Sequence, residues 1–395
     1  LEVVASRSAL LRAWKRVSAG KLAGPHAGRA GIDGESLESF GKALETNLSR
    51  LSSDLRSRRF VFGDLQPFFI PKKGGRRLIC VPAVKDRVVQ RAILDYLTPK
   101  SGWLSNGVSH GFVPDLGVPD AVKLAVHYRE QKPWVFKTDI TAFFDRIDRA
   151  LLTARVSGQV RHRSLHPLLQ SALGCEIRAE TKSVRSNLKT LDIRRSRGVR
   201  QGMPLSPFFA NLMLSPFDRA CQRNGLMAVR YADDLIFFAS SEEEAIGLQG
   251  FCLAQLGSLN LEIPELSSTS KTKIYAPSEA AEFLGVELRP SNESRYEVAV
   301  PQSVMDDIRT RILSYGSLDE LKARNLDVAK FGNALRAAVS AYAATYAFCS
   351  NGQDLQNNLD AWEQSASLRV AKALGIKVGA LSDTQRWFLR LPPST

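Results

Sequence analysis

The chain has 395 residues, with 54 Lys+Arg against 40 Asp+Glu and a net charge of +14. That length can bury one or two cores without covalent staples. Cys80, Cys175, Cys221, Cys252 and Cys349 are scattered without Cys-x-x-Cys spacing, which argues against a zinc site and for a reducing compartment. No apolar run reaches membrane length and no signal peptide is visible, so the expected location is the cytoplasm, with no membrane partner. The charge is uneven: residues 1–200 hold 36 Lys+Arg against 18 Asp+Glu, and residues 201–395 hold 18 against 22. A basic half suggests a face built to carry a polyanion.

Residues 1–60 have a helical pattern broken by Ala19-Gly-Lys-Leu-Ala-Gly-Pro25, followed by the Gly-rich element Ala30-Gly-Ile-Asp-Gly34. Phe68 to Val81 reads as strand, Gly-Gly turn, strand, with Lys72 and Arg76 flanking the turn. Asp86 to Leu97 is an amphipathic helix, with Val89, Ile93, Leu94 and Leu97 near helical spacing. His110, in Ser109-His-Gly-Phe112, reads as a structural or template-side residue. His162 and His166 stand at i and i+4 but have no third ligand nearby, so they are not expected to bind metal.

The apolar run Trp134-Val135-Phe136 leads to Asp139. Between Cys175 and Gln201 the chain is polar and basic, with Arg178, Lys182, Arg185, Lys189, Arg194, Arg195, Arg197 and Arg200. Such density fits phosphate contacts, or simply a solvated loop. Ser206-Pro207 reads as N-cap and first residue of a helix that carries Asn211. Met227 to Arg230 and Leu235 to Phe238 are β-prone flanks around Tyr231-Ala232-Asp233-Asp234, which places two adjacent acids at a hairpin turn. Later come Ser270-Lys-Thr-Lys-Ile274, Phe283-Leu-Gly285 and a strand at Val298–Val300. Val328, Phe331, Leu335, Ala338, Tyr342 and Tyr346, then Leu355, Leu359, Trp362 and Ala366, recur at helical spacing and predict a bundle.

Paired acids in an apolar hairpin are costly unless a cation neutralises them. If the strand ending at Asp139 lies beside that hairpin, three carboxylates converge. Three carboxylates are what a pair of Mg²⁺ ions needs for an in-line phosphoryl displacement. Asp145 and Asp148 are close in sequence to Asp139 but are expected on the following helix as caps or surface charges.

In order and spacing these motifs resemble those of reverse transcriptases, in the bacterial branch related to group II intron proteins. Asp139-Ile-Thr-Ala-Phe-Phe-Asp145 resembles the first metal-binding motif, and Arg197-Gly-Val-Arg-Gln-Gly-Met-Pro-Leu-Ser-Pro207 the nucleotide-and-template motif. The resemblance covers roughly residues 60–290. It implies an α+β right-hand polymerase fold: an N-terminal extension over 1–60, fingers and palm (antiparallel sheet with helices) over 61–296, and an α-helical thumb over 297–395.

The implied activity is RNA-directed DNA synthesis from dNTPs on an RNA template, with a DNA product and two Mg²⁺ ions, Mn²⁺ being an alternative. Asp139 and Asp233 are the implied metal ligands, with Asp234 as third acid and the Ile140 carbonyl as an extra oxygen. Lys271 is the candidate proton donor to pyrophosphate, with Lys273 as rival. Lys72 and Arg76 resemble triphosphate-gripping residues. Phe144 resembles a sugar gate that excludes the 2′-hydroxyl, its neighbour Phe143 then being core. Gln201 would hydrogen-bond the incoming nucleotide, and Gly202 would let backbone approach the nascent base pair. Tyr231, Asn211, Arg194, Arg195 and Arg197 are candidate nucleic-acid contacts, and Phe283-Leu284-Gly285 resembles a primer grip.

Within the family the chain looks like the stand-alone bacterial enzymes, several of which copy a partner noncoding RNA in antiphage defence. It ends soon after the helical segment, has no Val-Thr-Gly signature of retron enzymes, and keeps the Ser-Pro that diversity-generating enzymes replace. A maturase that only binds RNA, and an untemplated or primer-independent polymerase, remain as alternatives.

Overall fold

A computed structural model describes residues 1–21, 28, 30–72, 75–267, 269–291 and 295–388. The chain divides into two compact units: residues 1–121 with 136–274, and residues 122–135 with 275–395.

In the first unit, helices Arg7–Ser18, Leu44–Arg56 and Val84–Leu97 pack on one another. Their facing stripes are Leu10, Ala13, Trp14 and Val17; Leu48, Leu51 and Leu55; and Val88, Val89, Ala92 and Ile93. The segment read as an N-terminal extension is thus welded to the helix that follows the basic hairpin. The break expected at Ala19–Pro25 falls largely outside the described residues. The basic hairpin pairs β1 (Gln66–Lys72) with β2 (Gly75–Val81), Lys72 opposite Gly75. Its turn also lies outside the described residues.

The central sheet has strand order β4-β5-β3-β6, from β3 (Trp134–Asp139), β4 (Met227–Tyr231), β5 (Asp234–Ala239) and β6 (Lys273–Tyr275). Leu235, Ile236, Phe237 and Phe238 of β5 are all buried, so this inner strand is covered on both faces and loses the alternation of a half-exposed strand. Helix Ser206–Arg223 supplies part of the cover, burying Phe208, Phe209, Leu212, Met213 and Phe217, and helix Glu242–Gly257 also packs on β5. Phe237 lies between Phe217 and Phe136, with ring centroids at 6.3 and 6.0 Å.

Ser206 is not the N-cap of that helix. The cap is Leu205, and the Ser206 hydroxyl donates to the Arg200 carbonyl at 2.7 Å, tying the preceding loop down. The basic stretch is likewise not all loop, since Lys182–Thr190 is a helix capped by Thr181. Asp148 caps helix Arg149–Gln159 as expected, accepting from the amides of Ala150 and Leu151.

The second unit takes residues 275–395 with 122–135. It holds the antiparallel sheet β7 (Ala281–Phe283), β8 (Val286–Pro290) and β9 (Tyr296–Ala299). The tie is Arg129, fully buried, which donates to the carbonyls of Leu288 (2.5 Å), Ala276 (3.0 Å) and Glu279 (2.7 Å) and lies over the Tyr296 ring. Helices Gln302–Ser314, Val328–Tyr346 and Gly352–Ala373 form the bundle. Leu335, Leu355, Leu359 and Ala366 are buried in it, but Val328 is 77% exposed at the first turn of its helix. All five cysteines are free and buried, and burial pushes the Cys80 thiol up to about 12. Among the described residues no helix is long and apolar enough to cross a membrane.

Candidate active site

The turn between β4 and β5 has two residues, Ala232 and Asp233, because Tyr231 pairs directly with Asp234. Ala232 takes φ +58, the left-handed conformation a tight hairpin needs at its first turn position. β3 lies beside β5 and ends at Asp139, and the Ile140 amide donates to the Asp233 carbonyl at 3.0 Å. The three acids are therefore held together by backbone.

Their side chains are short of partners. Asp139 is 16% exposed; its Oδ2 takes the Lys271 ammonium, and its buried Oδ1 has no hydrogen-bond partner. Burial raises the Asp233 carboxyl above its ordinary range, and the neighbouring Asp139 charge adds to this. Burial pushes Asp234 up to about 6, against the Lys137 ammonium 3.8 Å from its Oδ1. That separation makes an ion pair and is too long for a hydrogen bond, so Asp234 Oδ1 also lacks a donor. Among the described residues no three such side chains form a ready metal cage. Lys271 instead takes one Asp139 oxygen. The donor set, hard oxygens with two buried atoms unsatisfied, fits Mg²⁺ or Mn²⁺.

Lys271 is set in place by its neighbour. Thr272 is fully buried, with its hydroxyl 2.7 Å from that of Thr138 and from the Pro264 carbonyl. This fixes β6 against β3 with Lys271 at Asp139. Of the two rival lysines, Lys271 is the one that pairs with Asp139.

Of the hairpin residues, Lys72 is exposed and its charge reaches Asp145. Arg76 bonds Asn187 at 3.2 Å, and the positive charge of Arg77 favours the ionised form of Asp233. Phe143 is buried and Phe144 half-buried on the short helix Phe143–Arg146, with their rings edge to face. Gln201 is half-buried, its carbonyl accepting from the Cys80 amide at 2.7 Å. Gly202, at φ +109, is required by that contact: a Cβ there would stand 2.5 Å from the Cys80 carbonyl oxygen. That close approach is to β2. Tyr231 is half-buried at the end of β4.

Two expected nucleic-acid contacts, Asn211 and Phe283, are buried, and so is Arg200 of the basic stretch. Asn211 is 2% exposed, and its amide is spent on Gly111 and Arg230. Phe283 is fully buried in the second unit; only Leu284 and Gly285, both at positive φ, form the turn. Arg200 is 2% exposed, bonded to the Arg194 carbonyl and 3.7 Å from Glu176, so it is a strut inside the basic stretch. Arg194 and Arg195 are exposed, Arg194 beside Asp192. Arg197 is half-buried against the Arg146 carbonyl. His110 is buried, as a structural residue should be.

Sequence reasoning missed Lys137, Arg77 and the buried pair Arg230–Asp218. For three of these the visible signal is a charge interrupting an apolar run: Arg230 in Met227-Ala-Val-Arg-Tyr231, Lys137 in Trp134-Val-Phe-Lys-Thr138, Asp218 in an apolar helix; Arg77 has none.

An acid-tipped hairpin beside a third acid, faced by a basic hairpin, defines an enzyme of nucleotidyl transfer. A family model described as reverse transcriptase (RNA-dependent DNA polymerase) matches residues 70–288, more than half of the chain, which therefore belongs to that family. The central sheet with its helices is the family's palm.

"Protein YkfC" of Escherichia coli K12 is 26% identical over 300 residues, 65% of this chain and 74% of its own length. The Retron Ec83 reverse transcriptase of Escherichia coli is 25% identical over 52% of this chain and 62% of its own length. The group II intron-encoded protein LtrA of Lactococcus lactis is 23% identical over 44% and 28%. The chain thus spans under two thirds of the retron and intron relatives. Among solved structures, telomerase from Candida albicans is similar at 12% identity and TM-score 0.41, covering 85% of this chain and 64% of that one. A Cas6-RT-Cas1–Cas2 complex is similar at 24% identity and TM-score 0.36, over 65% and 25%.

Proposed function

We propose that this chain adds dNTPs to a 3′-hydroxyl on an RNA template by two-metal chemistry at Asp139 and Asp233. Asp234, paired with Lys137, completes the acidic set, and the Ile140 carbonyl adds an oxygen. The observation that carries this reading is the Ile140–Asp233 backbone bond, which brings Asp139 to the turn of Asp233 and Asp234, with one oxygen each of Asp139 and Asp234 unsatisfied. Bound Mg²⁺ would lower the pKa of the primer hydroxyl and neutralise the leaving pyrophosphate.

The chain's own residues do the rest. Lys271, released from Asp139, gives a proton to pyrophosphate. Lys72 and Arg76 grip the triphosphate. Phe144 packs under the sugar and Gln201 holds the nucleotide. Tyr231, Arg194, Arg195, Arg197 and the Leu284-Gly285 turn face nucleic acid. The template is inferred to be a dedicated noncoding RNA and the setting antiphage defence, supported by the intact Ser206-Pro207 and the resemblance to stand-alone bacterial enzymes.

The test is dNTP incorporation on a primed RNA template, with and without EDTA, together with sequencing of nucleic acid that copurifies. Template-encoded, EDTA-sensitive product supports the reading. Product without template information, or RNA binding with no product, overturns it. Host RNA without one dominant species removes the dedicated template.

A further inference from the structure

Beneath the acid-bearing turn lies a charged cluster shut away from water. Arg230 and Asp218 are each 1% exposed and pair through two bonds, Nε to Oδ1 at 2.7 Å and Nη2 to Oδ2 at 2.6 Å. The remaining fork atom, Nη1, donates to the Ala232 carbonyl at 3.0 Å and to Asn211 Oδ1 at 3.1 Å. Asn211 Nδ2 in turn donates to the Gly111 carbonyl at 3.0 Å. Gly111 sits so close that a Cβ there would be 2.4 Å from the Ala232 nitrogen. Asn106 holds the far side of the pair, its Nδ2 2.8 Å from Asp218 Oδ2. The Arg230 backbone is bonded on both sides too, to the Val108 carbonyl and the His110 amide, each at 2.8 Å.

A buried ion pair is poor value for stability alone, since apolar residues of like volume often do as well. Methionine and leucine would fill this space without desolvating charge. What only the guanidinium supplies is a donor fixed at the Ala232 carbonyl. Ala232 needs it: a non-glycine residue in the left-handed region is strained by roughly 1–2 kcal/mol, and this turn position ordinarily takes glycine. The strained residue directly precedes Asp233.

We infer that Arg230 is a positioning residue for the acidic turn: anchored by Asp218 and Asn211, it holds Ala232 left-handed and so sets Asp233 against Asp139. The inference rests on the polymerase reading for its meaning, but its geometry is independent of it. Arg230 touches no substrate; it acts through Ala232. Lysine lacks the planar fork, so Arg230→Lys keeps the charge beside Asp218 while losing the aimed donor. Glycine takes positive φ freely, so Ala232→Gly should remove the need for the donor.

The experiment reads Mn²⁺ binding by EPR together with kcat, KM for dNTP, RNA affinity and thermal melting. Arg230→Lys should weaken Mn²⁺ binding and lower kcat, each by about tenfold, the scale of the strain released. KM and RNA affinity should stay within about twofold of wild type. Arg230→Lys/Ala232→Gly should recover most of both losses relative to Ala232→Gly alone, without recovering melting temperature. A purely structural role would give no such rescue. Wild-type Mn²⁺ affinity and kcat in folded Arg230→Lys, or absence of rescue, overturns the inference. If Arg230→Lys does not fold, Asp218→Asn carries the same test, and unchanged Mn²⁺ affinity in it is equally fatal. If the wild type binds Mn²⁺ yet extends no primer on RNA, the polymerase reading fails, and the Mn²⁺ arm still decides the positioning role.

Discussion

The Ile140 amide donates to the Asp233 carbonyl at 3.0 Å, so the strand carrying the first acid is bonded to the turn carrying the second. Carboxylate spacing is therefore set by backbone, and a side-chain change at Asp233 should alter chemistry without moving the strands. Asp233→Asn is expected to reduce dNTP incorporation to the level of a no-enzyme control. RNA affinity should stay near wild type, because the cations proposed to bind phosphate lie elsewhere. Incorporation and RNA binding measured on one preparation check this; substantial activity in Asp233→Asn would remove Asp233 from the metal site.

The adjacent rings Phe143 and Phe144 divide their tasks by burial. Phe143 is 2% exposed and Phe144 half-buried. Phe144→Ala is expected to raise ribonucleotide incorporation relative to dNTP with little change in melting. Phe143→Ala should cost about 3–5 kcal/mol of stability, as for other buried aromatics. The paired measurements are rNTP/dNTP competition and chemical denaturation. A ribonucleotide phenotype at Phe143 with none at Phe144 would put the sugar gate one residue earlier.

Asp86, 1% exposed in helix Val84–Leu97, accepts from the Gly63 amide at 3.1 Å with one oxygen and leaves the other unsatisfied. Burial pushes its carboxyl up to about 6. A folded-state pKa above the unfolded value means the fold prefers the protonated form. The stability this gives is full below the unfolded pKa of about 4 and is lost as pH rises through about 6. Ionised Asp86 then costs up to about 3 kcal/mol at neutral pH, from a shift of about two pH units. Asp86→Asn keeps an acceptor for Gly63 without the charge. It should gain stability over wild type at pH 8 and little at pH 4.5. Denaturation curves at both pH values decide; the same wild-type–variant difference at each would exclude Asp86 as the titrating group.

Much of this site was legible in the sequence because its parts are local. The acid pair flanked by β-prone residues gave the hairpin, and Trp134 to Asp139 gave the strand beside it. Periodicity gave the bundle helices. What was not legible depends on partners far along the chain. Asn211 looked available on a first helical turn, yet Gly111 and Arg230 claim both ends of its amide. Gly202 also makes room for the Cys80 carbonyl, a partner more than a hundred residues away that no local pattern shows. Arg129 donates to three carbonyls from residues 276–288, far along the chain. Basic residues in one stretch look alike in sequence, while burial separates Arg200 from Arg195.

That separation makes the last prediction specific. Residues 1–200 carry an excess of 18 positive charges, so RNA binding should be governed by phosphate contacts and counterion release. Neutralising about six phosphates implies a loss of ~10³-fold in affinity between 50 and 200 mM salt. Arg194 and Arg195 are exposed, and Arg197 is half-exposed. Replacing all three with Gln should flatten the log–log salt slope by up to about 0.7–0.9 per lost phosphate contact, without changing which nucleotide is added. Arg200→Gln should behave oppositely. Its guanidinium lies under the stretch, bonded to the Arg194 carbonyl and near Glu176, so the loss should appear as lowered melting temperature with an unchanged slope. Salt titrations of RNA affinity on the triple variant and on Arg200→Gln separate the two roles. An unchanged slope in the triple variant would make the stretch a solvated surface. A flattened slope in folded Arg200→Gln would mean that the buried arginine emerges to meet RNA.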